Sequence, residues 1–239
     1  MNKISRRHLI QTSLLSATAA VMAPNTVTAK AVKHKYNGAL ITGKTVPLPY
    51  ESIAGFLSNE QLTPHHDAHY GGALQGYFSL DKQIQMAAKT GKTLDASSYA
   101  SKMRARTQKA NSVLLHELYF AGMSSVKTQL KNASEPLQKA IKKRFGSMEN
   151  WATDFQACAK TASGWAVLAY DQITGELYNI ASDKHADGVL WVATPLIALD
   201  MYEHAYYVDY KNNKSAYIKR YMQYINWHEI DLRFSQIVL

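Results

Sequence analysis

Near Gly164 the pattern of the chain changes, and the change limits the folds open to it. Upstream the signals are those of helices. Ser58-Asn59-Glu60-Gln61 has the spacing of a capping box, with Ser58 accepting from the backbone and Gln61 reaching back. It predicts a first long helix from that point to about Ala88, with Gly71-Gly72 as a weak point. The segment TGKTLD reads as a loop, and a second long helix runs from about Ser98 to Met123. Ser134-Glu135-Pro136 is a helix start with proline in its first turn, and Gly146 ends that helix. Ser147 caps another, about 148–161, with Trp151 and Phe155 on one face. Downstream, GWAVLAYD and ELYNIAS are apolar and β-branched and flank the turn Gln172 to Gly175, as in a β-hairpin. TPLIALD reads as a third, buried strand, and a final helix covers about Lys214 to Tyr224. Helices first and strands later argue for an α+β protein. We expect a long-helix hairpin domain over 46–133, followed over 134–239 by an α/β domain with a three-stranded antiparallel sheet.

The first 29 residues read as an address and are set apart from the fold. Ser5-Arg6-Arg7-His8-Leu9-Ile10 is a twin-arginine pattern: adjacent arginines, one variable residue, then two apolar residues. The apolar stretch from Leu14 to Ala23 is half the ~20 residues that a membrane-spanning helix needs. Val27-Thr28-Ala29 offers small residues for a signal peptidase, with cleavage before Lys30. The expected route is the twin-arginine one, which carries folded proteins. The expected destination is periplasmic or extracellular, with no membrane attachment after cleavage. Residues 30–45 are basic and polar and read as an extended entry arm, leading into Pro47-Leu48-Pro49, which favours extended backbone.

The chain has a single cysteine, Cys158, so no intrachain disulfide and no thiolate cluster can form. A bound metal must be held by His, Asp or Glu. The formal net charge is +9, and Lys3, Arg6 and Arg7 supply three of those positive charges. A basic surface attracts anions. No run of alternating basic and aromatic residues favours nucleic acid.

There are nine histidines, of which His8 lies in the signal and His34 in the arm. Pro64-His65-His66-Asp67-Ala68-His69 puts His65 and His69 on one helical face. His116 sits in the apolar run SVLLHELYF. Asp200 ends the third strand, and His204 follows four residues later. A carboxylate closing an apolar strand must be paired, hydrogen-bonded or metal-bound. Taken alone, a histidine on an apolar helix face is more often a satisfied core residue than a ligand. Together they offer imidazoles from two helices and an Asp/His pair from a third place. Three nitrogens and one carboxylate oxygen suit iron or manganese, and zinc is not excluded by ligand type.

At this point whole segments resemble a known family. DMYEHAYYVDYKNNKSAYI resembles the signature of the iron/manganese superoxide dismutases, in which an Asp and a His four residues later both bind the metal. SNEQLTPHHDAHY resembles the family's first helix, and SVLLHELYF falls where the family carries its second ligand. FGSMENWATDFQACAKTASGWAVL is similar to the stretch that opens its C-terminal domain, and VPLPY to the start of the mature enzyme. The resemblance runs in order from about Val46 to the C-terminus. It implies that His65, His116, Asp200 and His204 hold one iron or manganese ion per subunit. It implies an outer histidine, His69, approached by Tyr207 of a second subunit, and Glu203 pairing with a ligand histidine across a dimer. Trp165 would wall the pocket, and Asn226-Trp227 would be a structural pair. The implied activity is conversion of superoxide to oxygen and hydrogen peroxide, in a homodimer or dimer of dimers. The metal alternates between oxidised and reduced forms, and its bound solvent serves as the proton store.

Three departures from the family stand out. Its pocket-mouth tyrosine falls at Ala73, which implies a more open pocket; Tyr77 lies one helical turn further. Its glutamine donor to the metal-bound solvent falls either at Ser112, which is too short, or at His185 in the loop SDKHADG. His185 is therefore the candidate catalytic donor, and a histidine at that position leans towards iron. Phe120 and Tyr202 stand where the family prefers tryptophan, and Leu115 where it has asparagine. Ala73 motivates two alternatives: a metal-binding relative that has lost dismutation and has a sequestering or structural role, or another mononuclear oxidoreductase with a larger substrate.

Overall fold

A computed structural model describes residues 37–91 and 95–238. The signal segment 1–29, with its twin-arginine pattern, and residues 30–36 of the arm lie outside the described residues, as do 92–94 of the TGKTLD loop. The described part of the arm is not extended throughout. Ala39–Thr42 form one helical turn, α1. The backbone N–H of Ala39 donates to Glu117 Oε1 at 2.8 Å, a distant partner that no local pattern announces.

The first predicted helix is built in three pieces: α2 at Asn59–Pro64, a π-helical turn at His65–Tyr70, and α3 at Gly71–Thr90. Ser58 caps it as expected, accepting from Gln61 N–H at 3.1 Å. The second half of the expected capping box does not form. The Gln61 side chain instead donates from Nε2 to the His204 carbonyl and accepts at Oε1 from Val208 N–H at 3.0 Å. Ser58 N–H goes to Asp209 Oδ2 at 2.8 Å. Long-range partners thus replace the local one and tie the first helix to the EHAYY segment. The π turn stands just before the glycine pair read as a weak point, and such a turn accommodates one extra residue within a helix.

The second long helix, α4, spans Ala96–Ala121, with Asp95 accepting from Ser98 N–H at 3.0 Å. It packs against α3 in an antiparallel hairpin. Next come α5 at Glu135–Phe145 and α6 at Met148–Thr161, capped by Ser134 and Ser147. The strands are β1 at Trp165–Asp171, β2 at Glu176–Ser182 and β3 at Ala193–Asp200. The chain then makes a short 3-10 turn, Glu203–Ala205, and α7 at Tyr207–Tyr210. Helix α8 at Lys214–Tyr221 stops short of the expected end. A further helix absent from the sequence reading, α9, spans Trp227–Ser235. Its signal is Asn226, whose side chain accepts from Glu229 N–H at 3.3 Å.

The sheet order is β2-β1-β3, with both pairings antiparallel. The two outer strands therefore run parallel to each other, and the connection from Ser182 to Ala193 must cross β1. In register, Trp165 stands opposite Ser182 on one side and Asp200 on the other. The described residues form one compact unit. Val113 and Phe120 of α4 share its buried core with Trp151 and Phe155 of α6 and with Leu196 to Leu199 of β3. Among the described residues, no helix is long and apolar enough to cross a membrane.

Candidate metal centre

Four elements bring His65, His116, Asp200 and His204 to one place. His65 opens the π turn, His116 lies on α4, Asp200 closes β3 and His204 sits in the 3-10 turn. Three of the four are almost fully buried and His204 is partly so. One potential ligand atom from each lies within 4.8 Å of all the others. Asp200 Oδ2 is the focus: His65 Nε2 is 3.1 Å from it, and the Nε2 atoms of His116 and His204 are each 3.5 Å away. Donors held about 2.1 Å from one ion at angles of about 90–110° stand about 3.0–3.4 Å apart. The 3.1 Å spacing falls within that range and the two of 3.5 Å lie just beyond it.

The protonation states fit a cation as well. Burial pushes the His65 imidazole below its ordinary pKa, against the pull of Asp200. Burial takes His116 down to about 3. For Asp200 burial favours the neutral form, yet the imidazoles of His204 and His65 beside it hold its carboxyl well below the usual carboxylate range. Neutral imidazoles and an ionised carboxylate are the forms that give electron pairs to a metal. His116 Nδ1–H donates to the Ser112 carbonyl at 2.7 Å, which leaves the lone pair on Nε2. The buried Nε2 atoms of His116 and His204 have no hydrogen-bond partner among the described residues. An unpartnered buried nitrogen is costly. A metal ion placed among these groups would satisfy them, and three nitrogens with one carboxylate oxygen suit iron or manganese.

The other carboxylate oxygen, Oδ1, accepts from Tyr202 N–H at 2.9 Å. The Asp200 carbonyl accepts from the buried Tyr217 hydroxyl at 3.0 Å. Tyr217 in turn takes a hydrogen bond from Tyr119 at 3.0 Å. Nothing local in the sequence signals this tyrosine pair, since its members lie on α4 and α8.

The surrounding residues named from the sequence occupy two sides. On the sheet side, the fully buried Trp165 sets its ring edge-on to His116, with centroids 5.2 Å apart. Its Nε1–H donates to His185 Nδ1 at 2.9 Å. The His185 ring lies 5.0 Å from Tyr202 and 6.2 Å from His116. Tyr202 stacks on His204 at 5.2 Å, with 10° between the planes. On the open side, His69 stacks on His204 at 3.8 Å. Glu203 and Tyr207 flank His204 at the surface, with Tyr207 47% exposed.

The departures also find places. Ala73 is buried on α3. Tyr77 rests its ring against Phe78, with centroids 5.2 Å apart. Phe120 lies 5.1 Å from the His65 ring. Ser112 serves through its backbone carbonyl, a role its side-chain length does not limit.

The segment that carries His185 is the crossing connection between β2 and β3, and two glycines shape it. A Cβ on Gly164 would stand 2.8 Å from the Ser182 carbonyl oxygen. Gly188 has φ +80, and a Cβ there would stand 2.7 Å from the Ala181 oxygen. The Ser182 hydroxyl donates to the carbonyls of Lys184 and Asp187 within the same segment. Asp183 Oδ1 takes both the N–H and the hydroxyl of Ser163.

Comparison with known proteins agrees with this geometry. The family model for iron/manganese superoxide dismutases, C-terminal domain, matches residues 133–233. The chain is 34% identical over 194 residues to superoxide dismutase [Mn] 1 of Halobacterium salinarum, covering 80% of this chain and 93% of that one. It is 31% identical to superoxide dismutase [Fe] of Methanothermobacter thermautotrophicus, covering 81% and 94%. It is 35% identical to superoxide dismutase [Fe] of Aquifex pyrophilus, covering 75% and 85%. The likeness extends over nearly the whole length of the first two relatives, and the His/Asp cluster stands where the ligand pattern places it: the chain belongs to the iron/manganese superoxide dismutase family.

Proposed function

We propose that this protein is a superoxide dismutase, converting two superoxide anions and two protons to one dioxygen and one hydrogen peroxide. The observation that carries the reading is the convergence of three imidazole nitrogens on one carboxylate oxygen, with the Nε2 atoms of His116 and His204 buried and unpartnered. His65, His116, Asp200 and His204 would hold the ion. Iron or manganese, bound there, supplies the alternate uptake and release of one electron; the relatives' names include both metals.

The chain's own residues orient the site and hold a proton beside it. Asp200 is fixed through Oδ1 by Tyr202 N–H and through its carbonyl by Tyr217. His116 is fixed by the Ser112 carbonyl. Trp165 occupies Nδ1 of His185 as an acceptor, so the proton of a neutral His185 sits on Nε2. Burial lowers the His185 pKa and favours that neutral form. His185 is then a donor to solvent next to the ligands, the role that the family gives to a glutamine. Trp165, Tyr202 and Phe120 line the pocket with aromatic bulk.

Two further parts of the reading concern assembly and location. Glu203 and Tyr207 form the dimer contact, supported by their exposure on either side of His204 and by His69 stacked there. The twin-arginine pattern supports export of the folded protein to the periplasm or beyond. The test of function is metal analysis of the protein taken from its native compartment, with superoxide turnover measured on the same sample. Turnover with bound iron or manganese is expected. A chain that turns over no superoxide with either metal overturns the proposal.

A further inference from the structure

The residue that follows each helix-borne ligand is bonded to the same upstream segment. His66 follows His65, and its Nε2 lies 2.8 Å from the Val46 carbonyl oxygen. Glu117 follows His116, and its Oε1 accepts from two donors at 2.8 Å each, the N–H of Ala39 and the hydroxyl of Tyr70. Tyr70, fully buried, joins the two halves of this arrangement. Its oxygen accepts from Val46 N–H at 2.9 Å while its proton goes to Glu117. Its ring lies alongside the His116 imidazole, with centroids 6.1 Å apart and 25° between the planes.

The bond between Tyr70 and Glu117 joins two of the three elements that present imidazoles to the metal centre. Tyr70 ends the π turn that His65 begins. Glu117 is adjacent to His116 on α4. The two ligand rings stand 5.0 Å apart, centroid to centroid. Helix packing alone leaves that spacing to the slide of one helix along the other. A hydrogen bond beside each ligand, closed over by a segment bonded to both helices, removes that freedom. Val46 is the first residue of the stretch VPLPY, where the resemblance to the family begins, so of these bonds only the one from Ala39 reaches upstream of it.

We infer that Tyr70 and Glu117 are positioning residues for the metal ligands, and that Ala39 to Val46 form a strap which holds His65 and His116 at their spacing and slows loss of the ion. The inference rests on reading the His/Asp cluster as a metal site. Outer hydrogen bonds that fix ligand geometry are commonly worth 10–100-fold in metal affinity.

The test uses the full mature chain, loaded with manganese or iron and challenged with excess chelator, and reads the rate of metal release. Tyr70→Phe keeps the ring but breaks both bonds of the hydroxyl. Glu117→Leu removes the acceptor. Glu117→Gln keeps an acceptor oxygen in place without the charge. Release about tenfold faster is expected for the first two, with the Gln variant within about twofold of the parent. The ligand-field absorption of the bound metal should shift in the first two and not in the third. Thermal unfolding of the metal-free variants checks that each is folded; should Glu117→Leu fail to fold, Tyr70→Phe decides alone. Parent-like release from a folded Tyr70→Phe overturns the inference. So does release from Glu117→Gln as fast as from Glu117→Leu, which would assign the effect to charge rather than to the strap. A parent chain that retains no metal overturns the metal-site reading itself.

Discussion

Trp165 gives its indole N–H to His185 Nδ1 at 2.9 Å, and so decides which nitrogen of that histidine keeps a proton. One partner comes from the first residue of β1 and the other from the connection that crosses that strand. His185→Ala is expected to lower superoxide turnover about tenfold or more while bound metal remains, because none of the four ligands is touched. Pulse radiolysis with parallel metal analysis checks it. Parent-like turnover would remove His185 from the mechanism. Trp165→Phe should act in the same direction, since the imidazole is then free to adopt the other tautomer.

Gly188→Ala reaches His185 indirectly. The backbone there has φ +80, and the new Cβ would stand 2.7 Å from a backbone oxygen, so the crossing connection must move. Stability should fall by about 1–3 kcal/mol. Turnover should fall with metal content kept, read by denaturant unfolding and by the same activity assay.

Gln61→Leu tests the tie between the first helix and the EHAYY segment. The substitution conserves bulk but leaves the His204 carbonyl and Val208 N–H without their partners. A loss of about 1–3 kcal/mol is expected. Calorimetry of the metal-free protein reads it without interference from the ion.

Glu203→Ala bears on assembly. Glu203 is exposed beside His204. If the contact proposed above is right, the substitution weakens self-association, which light scattering across a dilution series measures. Self-association unchanged from the parent would remove Glu203 from the proposed contact.

Much of this molecule is written locally in its sequence. Ser58, Ser134 and Ser147 cap the helices they precede, because a hydroxyl three residues ahead of an N–H needs no tertiary help. The hairpin turn and all three strands fall where the apolar, β-branched runs and the turn residues put them. The four ligands were legible as a set only through resemblance to a family; composition and spacing alone stop at a candidate site. What stayed hidden depends on distant partners. Gln61 abandons its local bond for residues more than a hundred positions away. The Tyr119–Tyr217 pair and the Trp165–His185 bond form only once helices and strands have packed. The final helix follows Tyr224 after a short turn, and its local signal is only the cap that Asn226 makes with Glu229 N–H.

The π-helical turn at His65–Tyr70 has a consequence for what this sequence can become. An α-helix rotates by about 100° per residue. The extra residue held in the widened turn therefore sets the phase between what lies before it and the twenty residues of α3 after it. Deleting one residue there would force a choice between aiming His65 at Asp200 and keeping the face of α3 that meets α4. The turn works as a phase shifter, uncoupling the aim of a ligand from the packing of a long helix. A change in chain length between His65 and Tyr70 must disturb one or the other.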